Sequence, residues 1–116
     1  MYYTNIENDT INNFAYRKVV HTTSNLQLVL MSLLPNQSIG LEKHPDTTQF
    51  FRFEKGYGLV QVDDRSFAVS DGDCVVVNPG SYHNVTNVDP TRDLKFYTIY
   101  SPPEHENGLV EITKTI

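Results

Sequence analysis

The chain has one cysteine, Cys74, so no disulfide can close within it. A secreted domain of this size would often carry several, and the expected setting is the cytoplasm. Clusters of positive charge are also missing. Nine Lys and Arg are scattered against 14 Asp and Glu, no basic run exceeds Arg17-Lys18, and the formal net charge is −5. Nucleic acids and anionic membranes are held by grouped Lys and Arg, so neither is expected as a partner. No apolar run approaches the length of a membrane span. The first nine residues are polar and acidic, without the basic and apolar regions of a signal peptide. The sequons at Asn8, Asn36 and Asn84 are therefore read as chance. Internal repeats and low-complexity tracts are absent, and helical periodicity is almost absent.

From Tyr16 onward the pattern is β. Short runs rich in Val, Ile, Phe, Tyr and Thr alternate with Gly, Pro, Asn and Asp. Strands are expected over residues 16–21, 26–33, 39–42, 49–54, 58–62, 66–69, 74–77, 83–86 and 94–100. Pro35-Asn36, Lys55-Gly56, Asp63-Asp64, Asp71-Gly72 and Asn78-Pro79-Gly80 supply the turns between them. Such close, regular spacing indicates an all-β sandwich or barrel. Residues 1–116 read as one domain, with an N-terminal arm over 1–14, where 5–13 could make a helical turn, and a C-terminal tail or lid over 102–116.

Glu42 and His44 stand two apart on an extended segment and so leave the same face. Gln49 follows at the start of the next strand, sharing its face with Phe51 and Phe53, and His83 opens a late strand. A carboxylate, two imidazoles and an amide oxygen form a mixed N/O set suited to Mn, Fe, Co, Ni or Zn. Four protein ligands would leave an octahedral ion two open positions for a substrate's oxygens.

The surrounding residues resemble the two motifs of the cupin superfamily, G-(x)5-H-x-H-(x)3–4-E-(x)6-G and G-(x)5-P-x-G-(x)2-H-(x)3-N. In this chain Gly40 is followed, after Leu41 alone, by Glu42-Lys43-His44, then four residues, Gln49, six residues and Gly56. Later, Gly72 is followed by five residues, Asn78-Pro79-Gly80-Ser81-Tyr82-His83, three residues and Asn87. The family's first His is Glu42 here and its Glu is Gln49, so the carboxylate has changed position and the set keeps one negative charge. The family's Pro is Asn78, with Pro79 one place later. Gln49–Gly58 and Tyr100–His105 also look like segments of small stand-alone cupins grouped with mannose-6-phosphate-isomerase-like proteins. The resemblance implies a cupin double-stranded β-helix, or jelly-roll barrel, holding one divalent metal ion on Glu42, His44, Gln49 and His83.

It also implies a metal-dependent, isomerase-like enzyme acting on a small polar substrate such as a sugar derivative. The alternatives are a non-catalytic metal or small-ligand binding module and an Fe(II)-dependent dioxygenase. No general base stands out. A pocket open at one end is expected, lined by Phe51, Phe53, Val60, Val76 and Val85. Cys74 reads as a small core residue, His21 and His105 as surface histidines, with His105 able to join a lid at the barrel mouth. Tyr82, Tyr97 and Arg52 read as packing or pocket-support residues, and Asn87 as a loop tie. Residues 26–34 are apolar on both faces. That predicts a homodimer packed sheet against sheet, with the strand over 16–21 added to the partner's edge.

Overall fold

The computed structural model describes residues 1–115. Its elements in chain order are α1 (Ile6–Ile11), β1 (Arg17–Thr22), β2 (Gln27–Leu33), β3 (Glu42–Lys43), β4 (Thr48–Lys55), β5 (Gly58–Val62), β6 (Arg65–Val69), β7 (Cys74–Val77), β8 (Tyr82–Asn87), β9 (Leu94–Ser101) and β10 (Val110–Glu111). They form a six-stranded sheet, β10-β1-β2-β9-β4-β7, facing a four-stranded sheet, β3-β8-β5-β6. The strand spacing points to an all-β sandwich or barrel, and the jelly-roll barrel is the one implied by the motif resemblance. The strand pattern also anticipated the β elements except β10, whose two residues are too few to carry a period, and β3, which covers Glu42–Lys43 where a strand was expected over 39–42.

Alternation along each strand builds the core. Val29, Met31 and Leu33 of β2, Phe51 and Phe53 of β4, Val60 of β5, Val85 of β8 and Phe96 of β9 are all without solvent exposure. Phe96 stacks obliquely on both Phe51 and Phe53, with ring centroids 6.0 and 5.3 Å apart. The interior beneath the candidate ligands is thus filled by aromatic rings. None of the clefts described is lined by His44 or His83, and Phe51, Phe53, Val60 and Val85, expected to line a pocket, pack together in the core. Val76 is no part of such a lining either. It is 56% exposed, whereas Val77, its inward neighbour, is buried.

Cys74 is exposed as well, contrary to its expected place in the core. The run Cys74-Val75-Val76-Val77 is apolar throughout, but β7 is the edge of its sheet and nothing covers its outer face. Strict alternation then puts Val75 and Val77 inside and leaves Cys74 and Val76 in water.

The two-sided apolar character of β2 also has an explanation within the chain. Its outward Leu30 and Ser32 are buried, and α1 lies across β2, β9 and β4. The arm is capped by Asn5, whose side chain accepts the Asn8 amide at 3.0 Å. It is tied down by the buried Lys95 Nζ, which donates to the Asn13 carbonyl at 2.6 Å and to Ser32 Oγ at 3.0 Å. The same ammonium stands 4.1 Å from the centroid of the Phe14 ring. Nor is β1 free for a partner's sheet, since it pairs with β2 on one side and β10 on the other.

One glycine is required by its surroundings. Gly56 has φ +109°, and a Cβ there would lie 2.8 Å from the Asp93 carbonyl oxygen. Only Gly fits both the backbone angle and the close approach of the β9 lead-in.

Candidate metal centre

The strand register brings the candidate ligands to one end of the barrel. Glu42 of β3 is directly opposite His83 of β8, so their side chains leave neighbouring positions on one face. His44 follows β3, and its carbonyl is fixed by the Gly80 amide at 2.9 Å. Its ring centroid is 5.3 Å from that of His83, and its Nε2 is 3.6 Å from Glu42 Oε2. Gln49 enters from the other sheet, opposite Tyr100. The Tyr100 ring meets His44 edge-on at 5.7 Å.

Three of the four side chains are almost fully enclosed. His44 is 8% exposed, His83 3% and Gln49 2%. Each has one polar atom satisfied and one not. His83 Nδ1 donates to the Ser81 carbonyl at 3.1 Å. His44 Nδ1 donates to Glu104 Oε1 at 3.0 Å. Gln49 Nε2 donates to Thr98 Oγ1 at 3.0 Å. The remaining atoms, His44 Nε2, His83 Nε2 and Gln49 Oε1, are buried without a hydrogen-bond partner. Orphaned buried polar atoms are costly, about 1–3 kcal/mol each, and native structures contain few of them. All three orphans are lone-pair donors, and the proton on each imidazole is held at Nδ1 by an acceptor, as in metal-ligating histidines. The donor set therefore fits a cation. Among the described residues no three His, Cys, Asp or Glu side chains form a group that could hold a metal ion by themselves.

Burial lowers the His83 pKa, with the nearby His44 acting in the same direction, while the hydrogen bond to Ser81 opposes it. The neutral, lone-pair-bearing imidazole is thus favoured. Burial raises the Tyr100 pKa, with the Glu42 carboxylate adding to the rise, so its hydroxyl stays protonated. It faces His105 Nε2 at 3.3 Å. His105, read from sequence as a surface residue or part of a lid, packs its ring edge-on against Tyr100 at 5.1 Å.

His105 gives the fold a pH dependence. Burial, and then the Arg17 charge, depress its pKa from 6.5 to about 4. Between those values the unfolded chain takes up a proton that the folded chain refuses, so stability is complete above pH 6.5 and lost as pH falls through 4. Denaturant melts of His105→Gln should lose less stability than wild type between pH 6.5 and 5, where most carboxylates have yet to titrate. Parallel curves would show that His105 titrates normally in the folded state.

Glu104, Thr98 and Gln27 were not legible as participants. Gln27 is the one of the three with a signal, an amide at the head of a strand that is apolar but for Ser32. It is fully buried, and its Oε1 accepts the amides of Glu104 and His105 at 3.1 and 2.9 Å. Its Nε2 donates to Thr22 Oγ1 and the His105 carbonyl at 3.0 and 2.7 Å.

The same architecture occurs elsewhere. BH2720 from Bacillus halodurans superposes with a TM-score of 0.92 at 40% identity, over 95% of this chain and 87% of that one. Protein L612 of Acanthamoeba polyphaga mimivirus is 38% identical over 98% of this chain and 73% of its own length. YrkC of Bacillus subtilis is 41% identical over 95% of this chain, which spans 62% of YrkC. No helix among the described residues is long and apolar enough to cross a membrane. Residues 29–100, which hold all four candidate ligands, match the Cupin_2 family of cupin domains, and the chain belongs to that family.

Proposed function

We propose that Glu42, His44, Gln49 and His83 hold one divalent ion, Mn, Fe, Co, Ni or Zn, at the mouth of the barrel, and that the protein is a metal-dependent, isomerase-like enzyme acting on a small polar substrate such as a sugar derivative. The observation that carries this reading is the trio of buried, partnerless lone pairs on His44, His83 and Gln49. When bound, the ion supplies Lewis-acid polarisation of a substrate oxygen. The chain's own residues orient and enclose. Ser81 and Glu104 fix the two imidazoles, Thr98 turns the Gln49 amide, and Phe51, edge-on to His83 at 6.1 Å, keeps water from beneath the site. The Tyr100 hydroxyl and the neutral His105 form a donor–acceptor pair beside it. The likeness to mannose-6-phosphate-isomerase-like cupins in Gln49–Gly58 and Tyr100–His105 supports the isomerase reading.

Elemental analysis of tag-free protein tests the metal claim. One equivalent of Mn, Ni, Co or Zn supports Lewis-acid chemistry. Iron moves the reading to an Fe(II) dioxygenase, because two His and one carboxylate also suit Fe(II). A metal without turnover of sugar derivatives leaves a binding module. Protein that neither contains nor takes up any of these ions refutes the assignment.

We infer a cytoplasmic setting from the exposed free thiol of Cys74, which suits a reducing compartment. We also infer a homodimer. The covered face of β2 does not require it, but Phe14 and Ile112 are 78% and 70% exposed around one groove on the outer sheet face, and an exposed apolar patch marks an interface. Light scattering should give the dimer mass for wild type and the monomer mass for Phe14→Glu. A monomeric wild type ends the proposal.

A further inference from the structure

The geometry points to Glu104 as the positioning residue that sets which nitrogen of His44 carries the proton, and so makes the metal site depend on the C-terminal tail. The inference rests on the metal-site reading for its consequence, though not for its contact.

A neutral imidazole offers one N–H and one lone pair, and the hydrogen bond made by one nitrogen decides the role of the other. A carboxylate only accepts. Glu104 Oε1 at 3.0 Å from His44 Nδ1 therefore holds the proton on Nδ1 and leaves the lone pair on the buried Nε2. His83 reaches the same state differently, through the Ser81 carbonyl of its own loop. Among the described residues no local acceptor meets His44 Nδ1, and its acceptor comes from sixty residues away.

Glu104 is held in place by more than one contact. Its Oε2 accepts from Thr47 Oγ1 at 3.4 Å, and the same hydroxyl reaches the Pro102 carbonyl at 3.4 Å. Its backbone amide is bound by the fully buried Gln27, which also binds both the amide and the carbonyl of His105. Gln27 thus spends most of its hydrogen-bonding capacity on residues 104 and 105. A tail that only covered the barrel would not need a carboxylate aimed at a ligand nitrogen. The order of control runs from Gln27 to the tail backbone, from the tail to Glu104, and from Glu104 to His44.

The test uses uniformly 15N-labelled, metal-stripped full-length protein at pH 8 and long-range 1H–15N correlation spectra of the imidazoles, with Glu104→Ala, Glu104→Gln and Glu104→Asp beside wild type. Wild type should show His44 protonated at Nδ1. Glu104→Ala should shift His44 toward the Nε2–H form that free imidazole side chains prefer, while His83, held by Ser81, stays unchanged as an internal control. Glu104→Gln, whose amide can accept or donate, should give a mixture, and Glu104→Asp should restore the wild-type state in part. Affinity for Mn2+ or Zn2+ by isothermal titration should fall about 10–100-fold in Glu104→Ala, the usual effect of losing a partner behind a ligating histidine. His44 found as Nε2–H in wild type, or unmoved in Glu104→Ala, overturns the inference. Absence of metal binding by wild type would instead refute the metal-site reading, and the imidazole spectra would still decide the role of Glu104. Glu104 is exposed, so the variants should fold, which amide spectra will check.

Discussion

His83→Ala should lower the affinity for a divalent ion by roughly a hundredfold or more, and the His44→Ala, His83→Ala double variant should retain no ion through dialysis. Losing a residue that merely supports a ligand costs about 10–100-fold, so losing a ligand should cost at least that. His83 lies at the centre of the set. It is opposite Glu42 in register, beside the His44 ring and above Phe51. The only hydrogen bond its side chain makes among the described residues is to the Ser81 carbonyl, so the strand pairing of β8 should survive its removal. Isothermal titration with Mn2+ or Zn2+ and far-ultraviolet circular dichroism separate the two effects. A folded double variant with full metal content would sink the assignment of these residues.

Phe96→Ala should destabilise the metal-free protein by about 3–5 kcal/mol, the range for emptying a buried aromatic site. For a domain of this size that corresponds to a fall in Tm of roughly 10–20 °C. Phe96 is fully buried on β9 and touches both rings of β4 that fill the barrel. Relaxation cannot close the gap cheaply, because β9 is held by ladders between β2 and β4, the second broken only by an irregularity after Phe53. Denaturant unfolding measures the loss. Phe96→Leu should cost markedly less, since most of the volume returns. Equal losses for Ala and Leu, or a cost under about 1 kcal/mol for Ala, would mean the barrel interior is loosely packed rather than filled.

The two effects have different locations for a physical reason. The lower barrel is apolar and dense, and each ring there stabilises the fold. The mouth carries three buried lone pairs without partners, a cost to the metal-free fold that a bound cation would offset. A barrel selected for stability alone would place apolar residues at 44, 49 and 83.

By itself the sequence determined the β periodicity, the turn positions and the residue types and spacing at the mouth. These are local properties. A period of two fixes which side chains share a face, and glycine at 56 marks a backbone that no side chain could fit. Tertiary structure decided what covers each face. The run Cys74-Val75-Val76-Val77 looks buried on both sides until β7 becomes an edge, and β2 looks as if it needs a partner until α1 and Lys95 close over it. It also decided which atom of each polar side chain is left free. His44, Gln49 and His83 are visible as residue types, but their free lone pairs depend on Glu104, Thr98 and Ser81. Two of those three partners are distant in the chain, and hydrogen-bond pairing across such distances leaves no period in the sequence.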